Sequence, residues 1–127
     1  MKKNIVRGIY RIRFIRQENT ITKENIPLLR LLDCLRFFKN IPDTTPDNAC
    51  QRLIYLIKKL DKQEISKIKK LALKYTPQAI ALLGAMLEVI NPQEDTTMLL
   101  KKLNHITTYK LGISNKILPT QKKWNIQ

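Results

Sequence analysis

The chain has 127 residues, 43% of them apolar, and carries 24 Lys and Arg against 10 Asp and Glu, a formal charge of +14. That length fits one domain that buries roughly two thirds of its unfolded surface, and the apolar share is too high for a disordered tail. No apolar run approaches the roughly 18 to 20 residues that cross a bilayer, and arginines interrupt MKKNIVRGIYRIRF where a secretory signal needs an apolar core, so no membrane partner and a cytoplasmic location are expected.

From residue 9 to 15 the pattern alternates, Tyr10, Ile12 and Phe14 on one side and Arg11 and Arg13 on the other. A period of two in aromatic and β-branched residues predicts a strand with one buried face. The polar step RQEN predicts a return into a short strand over 20–22, so residues 1–24 are expected to form a small β-hairpin. Pro27 then marks a first helical turn, where its missing N–H costs nothing. Leu28, Leu31, Leu32 and Leu35 form the stripe of a helix running to about residue 39. Thr45-Pro46 pairs an N-cap with a proline, Asp47 faces the helix dipole, and Ala49, Cys50, Leu53, Ile54, Ile57 and Leu60 lie inward. Asp61 and Glu64 have capping-box spacing and open a third helix, with Ile65, Ile68, Leu71, Ala72 and Tyr75 inward. Thr76-Pro77 opens a fourth helix that Asn91-Pro92 stops, and Asp95 or Thr96 caps a short fifth one.

Short connections between five helices predict an antiparallel bundle over 25–104. The fold class is therefore mainly α (α+β), a five-helix bundle with a small N-terminal β-hairpin, and 105–127 is a basic C-terminal tail of the same domain. Within that tail ITTYKLGIS alternates weakly enough to add a strand to the hairpin. The fourth helix is apolar nearly all round, the signature of a central helix. Gly84 in its middle costs about 1 kcal/mol relative to Ala. Close approach of another backbone explains it; a tolerated defect is the alternative.

Catalysis is poorly supported. His105 has no carboxylate near it in sequence and is read as a helix C-cap, no serine sits in a nucleophile elbow, and Gly8, Gly84 and Gly112 form no phosphate loop. Two distant cysteines, Cys34 and Cys50, with one histidine make no metal site; both are expected as thiols in apolar surroundings. No enzyme activity and no cofactor are expected. Binding is better supported, because all ten carboxylates lie between Glu18 and Asp95 and both chain ends are purely basic. The candidate polyanion- or partner-binding residues are Arg7, Arg11, Arg13 and Arg16 near the start, Lys67, Lys70 and Lys74 at i, i+3 and i+7 on the third helix, and Lys122, Lys123 and Trp124 near the end. Side chains two apart on a strand lie about 7 Å apart, and arginine grips phosphate or carboxylate bidentately. Solvated or edge-protecting charge is the plain alternative, and Trp124 is either an anchor of the tail onto the bundle or an exposed partner contact. Nothing reads bases, so nucleic acid, DNA or RNA, would be held by charge and shape alone.

Four segments resemble, in order, the C-terminal half of AbiEi-type antitoxins of bacterial type IV toxin–antitoxin, abortive-infection systems. They are GIYRIRFIRQ, TKENIPLLRLLDCLRFFKNIPDTTPDNA, LKYTPQAIALLGAMLE and LPTQKKWNI. The resemblance implies a domain that counters a nucleotidyltransferase-type toxin. Family members commonly begin with a winged helix-turn-helix that binds their own operator; the residues before Gly8 do not supply one, so operator repression does not carry over. An arginine often precedes the ALLGA core in the family, where this chain has Ile80-Ala81, so no role of that arginine carries over either. A basic nucleic-acid-binding accessory or regulatory domain is the alternative function.

Overall fold

The computed structural model describes residues 25–103 and 107–127. The hairpin expected over 1–24, with Arg7, Arg11, Arg13 and Arg16, and the cap expected of His105 lie outside the described residues. Within them the fold is mainly helical: α1 (Ile26–Arg36), a 3₁₀ turn (Phe38–Asn40), α2 (Pro46–Lys58), α3 (Lys62–Ala72), α4 (Pro77–Ile90) and α5 (Thr97–Lys102). None of these helices is long and apolar enough to cross a membrane.

The helix starts follow from their caps. Thr45 Oγ1 accepts from the Asn48 N–H at 3.2 Å, with Pro46 in the first turn of α2. The capping box of α3 closes both ways: Glu64 N–H donates to Asp61 Oδ1 at 2.8 Å and Asp61 N–H to Glu64 Oε1 at 3.0 Å. Thr76 caps α4 through the Ala79 N–H. At α5 the two candidate caps divide the work. Thr96 is the residue before the helix, but it is Asp95 whose Oδ1 accepts from the Thr97 N–H at 3.1 Å. The first helix ends sooner than its stripe predicts, at Arg36, and tightens into the 3₁₀ turn that carries Phe38 into the core. Phe37 leaves helical geometry, at φ -107° and ψ 33°, and Pro42 then ends the turn, because the residue before a proline is driven out of the helical region and Ile41 is extended.

α4 is the hub. It packs against each of the other four helices, and every residue from Ala79 to Leu87 is buried, as its unbroken apolar sequence predicts. Its first turn also closes α1: Gln78 Nε2 donates to the Leu35 and Arg36 carbonyls at 3.4 and 3.2 Å, satisfying groups that every helix leaves open at its C-terminus.

The C-terminal segment 107–127 is built into this core. Leu111, Ile113, Leu118, Trp124 and Ile126 are all buried. Over 107–114 no strand forms among the described residues, and the pairing expected with the hairpin falls outside them; Tyr109 instead makes one isolated parallel bridge to Ile126. Tyr109 N–H donates to the Asn125 carbonyl at 2.8 Å, and the Gln127 N–H donates to the Tyr109 carbonyl at 2.7 Å. Gly112 has φ +73°, a left-handed value that favours glycine, and lies against Pro46. Beside it, Ser114 N–H donates to Asp47 Oδ1 at 2.7 Å, so Asp47 holds the C-terminal segment as well as the start of α2.

Replacing Asp61 with Ala removes a reciprocal cap and should cost about 1 kcal/mol of stability in urea denaturation; an unchanged midpoint would mean that α3 does not depend on its capping box.

Candidate functional site

α3 separates apolar from basic residues by helical period. With Ile68, Leu71 and Ala72 buried, Lys67 and Lys70 emerge on the opposite side, and Lys74 follows in the turn just past the helix; all three are exposed. At 1.5 Å per residue Lys67 and Lys70 leave the helix about 5 Å apart along its axis. Glu64, the only carboxylate between Lys62 and Leu87, is occupied by the Asp61 N–H in the capping box. The ridge expected from sequence is therefore present at the surface. Lys58 and Lys62 line an open cleft of about 440 Å³ together with Lys69 and Glu94, and none of the three ridge lysines lines it.

Lys69 was not singled out by sequence, and it behaves differently. It is 8% exposed, and its Nζ donates to Glu94 Oε2 at 2.7 Å and to the Asp95 carbonyl at 2.8 Å. These bonds pin α3 to the approach to α5. The signal was available, because positions 65, 68, 69 and 72 share one arc of a helix. A lysine there points inward and must find a partner.

A second cluster forms where the C-terminal segment meets α4. Ala81, Gly84, Ala85 and Glu88 fall on one face of the helix, at i, i+3, i+4 and i+7. The six-membered ring of Trp124 occupies the space a side chain on Gly84 would take: a Cβ there would overlap ring atoms Cη2, Cζ3 and Cζ2. The close approach expected at Gly84 is thus made by an indole ring and not by another backbone. Trp124 is 1% exposed, and its Nε1–H donates to Glu88 Oε1 at 2.8 Å. The other carboxylate oxygen accepts from Lys123 Nζ at 2.7 Å and Thr96 Oγ1 at 3.0 Å. Thr120 Oγ1 donates to the Ala85 carbonyl at 2.6 Å. Partial burial acts to raise the Glu88 pKa, but the hydrogen bonds from Lys123, Trp124 and Thr96, with the Lys123 charge, outweigh it and hold the carboxyl below its ordinary 4.5.

The candidate residues therefore separate. Lys67, Lys70, Lys74 and Lys122 are exposed cations. Lys123 is exposed but spends its charge on Glu88. Trp124, of the two roles open to it, has the burial of the anchor. Cys34 and Cys50 form no disulfide; burial, helped by the nearby Asp47 charge, pushes the Cys50 thiol up to about 12, which leaves it inert as a nucleophile.

Two measurements test the Trp124 cluster. Helix propensity alone favours Gly84→Ala by about 1 kcal/mol, yet overlap with the ring should make it destabilising by about 1 to 3 kcal/mol, read by urea denaturation followed by circular dichroism. A stabilised variant would place the ring elsewhere. Glu88 contributes stability that is complete above its unfolded value and is lost as pH falls through its lowered folded value. Denaturation from about pH 6 to about pH 3 should therefore show a shallower loss for Glu88→Gln than for the parent; parallel curves would remove Glu88 from the pH response.

Comparison of the chain with family models, curated proteins and solved structures finds no match.

Proposed function

We propose that the chain is the antidote-side domain of a bacterial type IV toxin–antitoxin system, a cytoplasmic binding domain and not an enzyme, which counters a nucleotidyltransferase-type toxin. One observation carries this reading. Two of the segments on which the AbiEi resemblance rests, LKYTPQAIALLGAMLE and LPTQKKWNI, meet in the fold at Trp124, Gly84 and Glu88. Residues far apart in sequence that together resemble one family are thus in contact. The surface available for the antidote role is basic. Lys70 and Lys74 on the α3 side, and Lys122 beyond them in sequence, present positive charge to solvent, and Lys67 is exposed beside them, which complements a carboxylate-lined nucleotidyltransferase cleft.

The exposed lysine ridge also favours a second reading, a basic nucleic-acid-binding accessory domain without a toxin. If the three ridge lysines each neutralise one phosphate of duplex DNA, affinity falls about 40-fold between 50 and 200 mM salt.

Co-expression with the toxin encoded beside its gene should restore growth, and Lys67→Glu with Lys70→Glu, alone or with Arg11→Glu and Arg13→Glu, should abolish the rescue while leaving the thermal melt unchanged. Failure of the folded parent chain to rescue growth, together with the steep salt dependence on nucleic acid, would transfer the function to the second reading.

A further inference from the structure

Among the described residues the large apolar side chains exposed to solvent include a neighbouring pair on α2, Tyr55 at 57% and Leu56 at 39%. α2 already buries Ala49, Cys50, Leu53 and Ile57 against the bundle. Tyr55 and Leu56 therefore form a second, outward apolar patch that the bundle does not use. Cations frame it. Arg52 and Lys59, about one turn before and after, are exposed, and the Lys59 ammonium lies 4.2 Å from the centre of the Tyr55 ring, a cation–π arrangement. Beside the patch runs a groove of about 370 Å³ whose walls include Ile41, Pro42, Leu53 and Leu56, with Arg52 among its lining residues.

We propose that this face of α2 docks an acidic amphipathic segment of a partner protein. An apolar side chain of that segment enters the groove against Leu53, Leu56, Ile41 and Pro42, and its carboxylates meet Arg52 and Lys59. Within the groove lining Asp43 and Arg52 balance, and Lys59, beside the Tyr55 ring, adds positive charge on the patch next to it.

Charge selects the occupant. A second copy of a chain carrying +14 brings a field of the same sign to a cationic patch, which opposes association. Residues 1–24 of the chain hold seven cations (Lys2, Lys3, Arg7, Arg11, Arg13, Arg16 and Lys23) against two carboxylates, Glu18 and Glu24, and meet the same repulsion. A nucleic acid would satisfy Arg52 and Lys59 but leave the apolar groove without a guest. An acidic segment with apolar side chains matches both, in the mode by which amphipathic helices enter hydrophobic grooves. This surface is separate from the α3 ridge, and the inference stands whether or not the partner is a toxin.

The test uses the full-length chain, isotope-labelled, with three probes: a fluorescein-labelled Glu/Leu amphipathic peptide, the same peptide with Leu replaced by Gln, and a single-stranded RNA oligonucleotide. The Glu/Leu peptide should bind about tenfold tighter than its Gln counterpart, and Tyr55→Ser with Leu56→Ser should remove that advantage. Arg52→Glu should weaken binding by a similar factor, Lys67→Glu with Lys70→Glu should leave it within about twofold, and amide shifts should gather on 41–42 and 49–59. Because Tyr55 and Leu56 face solvent, the double variant should keep the parent melting temperature. Equal binding of both peptides, shifts confined to α3, displacement of the peptide from α2 by the RNA, or self-association abolished by Tyr55→Ser would each overturn the proposal.

Discussion

The indole of Trp124 lying on the bare backbone of Gly84, with Glu88 accepting its N–H, joins the two parts of the described fold. A helix surrounded by others needs its faces covered, and α4 leaves one face small, at Ala81, Gly84 and Ala85. Small side chains let a large ring approach the helix axis, and a full tryptophan burial is worth about 3 to 5 kcal/mol when judged by truncation to Ala. The polar end of the ring would otherwise lose a hydrogen bond in the interior, and Glu88 supplies it. The same carboxylate holds Lys123 and Thr96, which ties the C-terminal segment to the approach to α5 as well. Farther along, Gly112 against Pro46 and Ser114 on Asp47 extend the attachment to the start of α2.

Local signals in the sequence were legible where the physics is local. Thr45, Asp61 and Thr76 were readable as caps because a cap concerns only the next three residues. The central place of α4 was readable because its lack of a polar face needs no knowledge of the neighbours. Gly84 and Trp124 each stood out alone, yet their contact was invisible, since nothing local links a helix glycine to a tryptophan far along the chain. The alternation in ITTYKLGIS shows in burial, with Leu111 and Ile113 buried and Lys110, Gly112 and Ser114 exposed, but it yields no strand among the described residues, only one bridge from Tyr109 to Ile126. Lys69 was legible and missed. It was given no role from sequence, although its position falls inside the buried arc, where Glu94 answers it.

Charge has two distinct roles in this chain. Asp47, Asp61, Glu64, Glu88, Glu94 and Asp95 each accept a hydrogen bond from the chain's own backbone or side chains, so much of the acidic complement is engaged in holding the fold. The cations are distributed otherwise: Lys69 and Lys123 are held by carboxylates, while Lys70, Lys74 and Lys122 on one set of elements and Arg52 and Lys59 on α2 face solvent. A protein arranged this way attracts acidic surfaces from a distance. What it then grips depends on the apolar groups beside the charge, which are present on α2 at Tyr55 and Leu56 and are turned inward on α3.

The most direct measurement is the fluorescence of Trp124, the only tryptophan in the chain. A ring seated on Gly84 should emit in the blue-shifted range of buried indoles in the native state and resist quenching by acrylamide, and both properties should disappear on unfolding. A native emission already in the range of hydrated indole, quenched as freely as in urea, would contradict the account: the C-terminal segment would then not be built into the core.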